Sequence, residues 1–213
     1  MNGLLTLVVV LMMQLLWWFG IHGPNVMGAV TSPFMTKMMA QNLALYQSGE
    51  GVTASGVFYT AGSQYSIISG PFGAGWFSPT GSGITMGLII AVMLFSKRDD
   101  FKAIAKLAIP CGIFNINEPI IFGIPMVMNP MFAVPFFLAP IACVCCGYLV
   151  QSLGLCPLFV IDVPWTTPVG LFGFLASSGN IMGAIWQAVI ILGVSTLIYT
   201  PFVIAANRQA EEA

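Results

Sequence analysis

Charge is what this sequence has least of. Only 6% of its 213 residues are charged, six basic and seven acidic, while 58% are hydrophobic. A soluble domain carries about a quarter charged residues, so too little polarity is available here for a water-facing surface. The charges are also bunched, and none falls within 1–36, 51–96, 119–161 or 163–207. Each of those runs exceeds the ~20 residues that a helical bilayer crossing requires. Six scattered basic residues supply no clustered cationic face, which excludes nucleic acid as a partner. Histidine is scarcer still, with His22 standing alone. The five cysteines, Cys111, Cys143, Cys145, Cys146 and Cys156, lie in apolar stretches without paired spacing or a nearby histidine. They read as small buried hydrophobes rather than zinc ligands, and neither a metal nor any other cofactor is expected. Phosphate-binding glycine loops and dinucleotide fingerprints are missing too, so catalysis by this chain alone is not expected.

The apolar runs describe an all-α membrane protein, a single membrane domain over 1–213. No Lys or Arg precedes His22, and the first run is too long for a cleavable signal, so segment 1–21 is expected to be a retained helix over 4–21. Trp17 and Trp18 near its end suit an interfacial belt. A break is expected at His22-Gly-Pro-Asn25, where proline removes a helical donor. An interfacial amphipathic helix over 32–46 and a loop over 47–56 follow. The glycine- and proline-rich stretch 65–83 predicts a broken span that becomes regular helix only over 84–95. It ends at Lys97, Arg98, Lys102 and Lys106, a cluster the positive-inside rule places in the cytoplasm.

Two further apolar segments, 103–128 and 155–175, are too interrupted by proline to be simple crossings. Backbone that leaves the helix at membrane depth needs protein or a watery cavity to satisfy its amides and carbonyls. Both segments therefore read as re-entrant helical hairpins lining a cavity, the pattern that points to a transporter's binding site. Simple spans are expected over 131–150 and 181–199. The total is about four transmembrane helices and two hairpins, with both termini cytoplasmic.

Within these segments the costly residue is Glu118, since an acid at the bilayer centre costs about 2.5–3.5 kcal/mol on insertion scales. An architectural carboxylate satisfied by backbone amides is the plainer reading. Asn115 and Asn117, whose amides both donate and accept, favour a ligand instead, and a hydroxyl-rich one. His22 stands free at the first break, although a lone histidine is usually structural. Asp162 either caps a half-helix or meets a ligand. Trp165 offers a stacking face, and Thr166 and Thr167 either line the cavity or satisfy backbone beside proline.

Phe114-Asn-Ile-Asn-Glu-Pro-Ile-Ile-Phe-Gly-Ile-Pro-Met-Val-Met-Asn-Pro130, continuing to Val134-Pro-Phe136, closely resembles enzyme IIC. That family is the sugar permease of the bacterial phosphotransferase system, here of the lactose and cellobiose/diacetylchitobiose type. Phe19-Gly-Ile-His-Gly23, Gly81-Ser-Gly83, Val163-Pro-Trp-Thr-Thr-Pro168, Gly173-Phe-Leu175 and Tyr199-Thr-Pro-Phe202 are similar to further family landmarks in the same order. The resemblance spans nearly the whole chain but only the carboxy-terminal half of the family's pattern. It implies a disaccharide substrate, a bacterial cytoplasmic membrane, and a separate enzyme IIB phosphoprotein whose phosphocysteine donates the phosphoryl group. It further implies catalytic roles for Glu118 and His22, with Asn115, Asn117, Trp165 and Thr166 also lining the sugar site. A homodimer, or a partner chain supplying the missing amino-terminal helices, follows from the same comparison.

The leading expectation is thus a permease component that binds a cellobiose-, chitobiose- or lactose-type sugar and presents it for phosphorylation. Phosphoryl transfer needs positioning and a group to take the hydroxyl proton, a role that suits Glu118. The alternatives are a non-catalytic membrane subunit or incomplete half-permease, and an ion-coupled transporter. Only Glu118 and Asp162 would be available to hold a cation in the last of these.

Overall fold

The computed structural model describes residues 3–212, with side chains described to residue 209. The first helix, α1 (Gly3–Trp18), stops three residues short of the expected 21. Gly20 turns left-handed at φ 79°. That turn lets Gly20 N donate to Trp17 O (2.9 Å) and Ile21 N to Leu16 O (2.9 Å), a glycine-terminated cap that satisfies two otherwise orphaned carbonyls.

Pro24 does not break the chain here. It sits in the first turn of α2 (Gly23–Ser48), where its missing N–H costs nothing, and His22 is the N-cap, its Nδ1 accepting from Asn25 N at 3.3 Å. The expected interfacial helix over 32–46 is therefore the interior of one 26-residue helix that tolerates Pro33 within it. A Cβ on Gly23 would lie 1.9 Å from the Met13 carbonyl oxygen, so α2 folds back tightly against α1. Near its far end, Asn42 exchanges two hydrogen bonds with the Ser66 backbone (2.7 and 2.9 Å). The loop after it carries a small antiparallel hairpin, β1 (Val52–Thr53) and β2 (Gly56–Val57).

The broken stretch that follows contains α3 (Gly70–Trp76), an irregular loop and α4 (Met86–Phe95). Next come α5 (Asp99–Ile113) and α6 (Glu118–Gly123), then α7 (Pro130–Ser152). Of the second interrupted segment only α8 (Leu171–Ala176) is helical. Its first arm, expected as a hairpin helix, is extended and irregular, because Pro157, Pro164 and Pro168 remove donors and bias their neighbours away from helix. The last helix runs through α9 (Ile181–Ala188), a π turn (Val189–Val194) and α10 (Ser195–Glu212).

Contacts along α7 orient the molecule. Gly3 and Thr6 lie beside Cys145 and Tyr148 near its end, whereas Trp18 packs on Phe137 near its start (ring centroids 5.9 Å). Arg98, Pro125, Asn129 and Gln209 gather at that same starting end. The first and last described residues therefore lie at opposite ends of the bundle, not on one side as expected. The reason is α2, which runs back along α1 instead of lying flat and so adds one traverse.

Two packed clusters make the core. One centres on Trp76, fully buried and stacked on Phe159 (5.4 Å, 5° between planes). Gly147 makes room for it, since a Cβ there would come within 2.4 Å of the indole. The other joins α4, α5, α6 and the start of α7 to α10 through Leu88, Ile120, Ile121, Phe132 and Tyr199. Gly87 of α4 meets Ser195 of α10 so closely that a Cβ would sit 2.1 Å from Oγ, the small-residue contact typical of membrane helices. Outward, Leu4, Leu107 and Leu197 are 74%, 76% and 75% exposed. So large an apolar exterior suits lipid rather than water. The helices over 130–152 and 181–209 are long and apolar enough to cross a membrane.

Candidate functional site

The two interrupted segments meet at their breaks. Between α5 and α6 the chain turns at Asn115, left-handed at φ 67°, a conformation asparagine tolerates better than most residues. Its side chain is buried and holds three stretches of backbone. Oδ1 accepts from Thr80 N at 2.7 Å, and Nδ2 donates to the carbonyls of Thr167 (2.9 Å) and Trp165. Both amide hydrogens of Asn115 are committed in this way. Asn117, also buried, is the N-cap residue of α6 but makes no cap bond with its side chain; Nδ2 donates instead to Ser82 O at 2.7 Å.

Facing these asparagines is the loop 80–84, in which Thr80, Gly81, Gly83 and Ile84 all have positive φ (63°, 86°, 79° and 51°). Gly81 is required twice over: by that φ, and because a Cβ would stand 2.1 Å from Asn117 Cγ. Gly83 is gripped from two sides, its N–H donating to Gln14 Oε1 (2.9 Å) and its carbonyl accepting from Tyr199 Oη (2.8 Å). Strained backbone of this kind persists only where its surroundings over-determine it, and here four side chains from α1, the α5–α6 break and α10 do so.

Glu118 follows directly, at the start of α6 and half-buried. Among the described residues no hydrogen bond or ion pair to its carboxylate is found, so its acceptor positions are available to a ligand. One turn on, Phe122 of α6 contacts Trp17 (6.4 Å), which in turn contacts His22 (5.0 Å). His22 is thus linked to the Glu118 helix through one buried indole, on an exposed turn. With Nδ1 accepting from Asn25, the ring proton sits on Nε2, which is then a donor.

The structure therefore joins Asn115 to the Trp165–Thr167 backbone and Asn117 to the 80–84 loop, sets Glu118 next to them in the chain, and connects His22 to α6 only by way of the Trp17 and Phe122 rings. Trp165 presents its carbonyl to Asn115, and the residue is 62% exposed; Thr166 is half-buried in the same turn. Sequence reasoning missed Gln14, Tyr199 and the carbonyl of Thr167 as parts of this arrangement. Gln14 had a signal, being the one amide inside an otherwise apolar helix. A backbone carbonyl leaves none.

Comparison with known proteins places the chain in a family. The family described as "Phosphotransferase system, EIIC" matches residues 1–140. The chain is 38% identical to the cellobiose-specific EIIC component of Lactococcus lactis, over 96% of this chain and 43% of that protein. It is 38% identical to the lichenan permease IIC component of Bacillus subtilis, over 92% and 41%. It is 34% identical to the lactose-specific EIICB component of Staphylococcus aureus, over 88% and 31%. In structure it superposes on the transporter ChbC, the IIC component of the N,N'-diacetylchitobiose-specific phosphotransferase system, with TM-score 0.86 and 34% identity. That match covers 97% of this chain and 46% of ChbC. The chain spans less than half the length of these relatives. It is a mostly helical membrane protein, and it belongs to the EIIC family of the phosphotransferase system.

Proposed function

We propose that this chain is the substrate-holding part of a sugar permease that binds a disaccharide of the cellobiose, chitobiose or lactose type and presents it to a phosphorylated enzyme IIB. The observation that carries the proposal is Glu118: a half-buried carboxylate without a protein partner among the described residues, set directly after Asn115, which ties the two interrupted segments together, and Asn117, which holds the 80–84 loop. A carboxylate held in that way can accept a hydrogen bond from a sugar hydroxyl and then its proton as the hydroxyl attacks phosphorus. His22, a donor at Nε2, can steady the same hydroxyl or the incoming phosphoryl charge. Asn117 retains a free Oδ1 and one N–H for the sugar, Trp165 offers its exposed face, and Thr166 its hydroxyl. Asn115 is better read as the tie that holds these groups in place.

On this reading the end bearing Lys97, Arg98, Lys102 and Lys106 is cytoplasmic. Segment 99–123 enters from that face and returns, segment 153–176 enters from the opposite face, and their tips meet at Asn115. α1, α2, the α3–α4 pair, α7 and the 181–212 helix connect the two faces, all within one membrane domain. The names of the relatives favour the assignment, and the EIICB component of S. aureus favours a IIB partner. A second reading, an incomplete half-permease or non-catalytic subunit that works only with a partner chain, is favoured by the match to 43% of a relative's length.

The test is uptake of labelled cellobiose and N,N'-diacetylchitobiose into vesicles carrying the chain, with and without a co-expressed chain that matches the relatives' remaining length, and phosphorylated IIB. Glu118→Gln should lower phosphorylation-coupled uptake by about 10²–10⁴-fold. Normal uptake by that variant would overturn the proposal. Uptake only with the partner chain would establish the second reading.

A further inference from the structure

At the end of the molecule opposite the basic cluster, a cleft of about 460 Å³ opens between the end of α2, the extended arm of the second interrupted segment and the turn after α8. Its lining is mostly apolar, with Val163, Pro164 and Leu175 along it, and three polar residues converge there: Tyr46, Asp162 and Ser178. None of their side-chain oxygens has a hydrogen-bond partner among the described residues. The Ser178 hydroxyl is shut away from solvent in the wall, and its residue is held at φ 63°. That hydroxyl stands behind the cleft surface, so the groups open to a ligand there are the Tyr46 hydroxyl and the Asp162 carboxylate.

We infer that this cleft is a second saccharide-binding site, an outer vestibule that receives a pyranose ring before it reaches the site at Glu118. An apolar floor with a few convergent polar groups is the usual form of a small-molecule site. Here the floor suits the C–H face of a sugar, the Tyr46 ring can stack on it, and the Asp162 carboxylate and the Tyr46 hydroxyl can bond its rim. A hard cation is a poorer fit, because it demands about six oxygen ligands and the lining offers one carboxylate. The cleft also lies on the same strand of chain as the inner site. Asp162 and Pro164 line it, and Trp165, the next residue, is tied by its carbonyl to Asn115. A sugar leaving the vestibule therefore meets the exposed Trp165 face next. This inference rests on the proposed sugar specificity but not on the role of Glu118.

The experiment is saturation-transfer NMR with cellobiose on the chain in phospholipid nanodiscs, comparing wild type, Glu118→Gln, Asp162→Asn/Tyr46→Phe, and the triple variant. Two saturable phases are expected in the wild type. Glu118→Gln should lose the tighter phase and keep the weaker, and the triple variant should lower the weaker signal at least fivefold. Loss of all binding in Glu118→Gln would overturn the vestibule while leaving the inner site intact, and a weaker phase unchanged in Asp162→Asn/Tyr46→Phe would overturn it as well. Loss of all binding in Asp162→Asn/Tyr46→Phe, with Glu118→Gln binding as wild type does, would uphold the vestibule and refute the inner assignment. Unaltered elution and thermal unfolding of each variant show that it has folded.

Discussion

The two interrupted segments solve one problem with different means. In the first, α5 and α6 keep most residues helical, and the four-residue gap between them places the side chains of Asn115 and Asn117 across to other backbone. In the second, the chain is extended from 157 to 164 and offers backbone carbonyls, at Trp165 and Thr167, for Asn115 to bind, while Asn117 reaches the Ser82 carbonyl of the 80–84 loop. Its own support comes from outside: Gln187 Oε1 accepts from Gly170 N (2.9 Å) and Gly173 N (2.8 Å), and Gln151 Nε2 donates to Pro157 O (2.9 Å). One segment makes the contact with a side chain and the other with its main chain, which is why only the first announces itself strongly in sequence. Irregular backbone persists when protein satisfies its polar groups, and these amides supply the partners.

That contrast can be broken most sharply at Asn115. Asn115→Leu should leave Thr80 N–H and two carbonyls without partners, and each buried group so stranded costs about 1–3 kcal/mol. A loss of several kcal/mol, read as a large drop in the thermal midpoint in detergent, is expected together with loss of sugar binding. If stability is unchanged, the segments are held by packing alone.

A smaller effect is expected on the other side. Gln187→Leu should strand Gly170 N–H and Gly173 N–H, costing about 2–4 kcal/mol in all. Hydrogen exchange should rise first in 165–176, with 99–123 little affected. Equal loosening of both segments would mean that they do not differ in their supports.

The smallest effect on stability belongs to Trp165→Ala. The carbonyl that Asn115 binds is retained and the indole is exposed, so stability should change by no more than about 0.5 kcal/mol. Cellobiose affinity, measured by titration calorimetry, should nevertheless fall several-fold. A large loss of stability with unchanged affinity would show that the indole packs rather than binds.

At the charged end, Arg98 makes a two-pronged pair with Asp100 (3.1 and 2.5 Å) and lies 3.7 Å over the Phe101 ring. The hydrogen bonds from Arg98 hold the Asp100 carboxyl below its ordinary pKa. The pair is solvent-exposed and adds little stability; it orders the turn into α5.

Composition alone determined that this chain lives in a bilayer, since thirteen charges in 213 residues cannot solvate a globule. Proline and glycine marked where helices fail at 114–117 and 153–170, because both act on the local backbone. The apolar runs likewise announced α7 and the final helix. What lay beyond local reading was decided by contacts between residues far apart in sequence. Pro24 reads as a stop, and the packing of Gly23 on Met13 makes it the start of α2, which leaves Gly3 and Gln209 at opposite ends of α7. Asn115 reads as a ligand for sugar, and only the arrival of the 165–167 carbonyls shows its hydrogens already committed. A hydrogen-bonding side chain declares its capacity in sequence, but its partner is chosen by the tertiary fold.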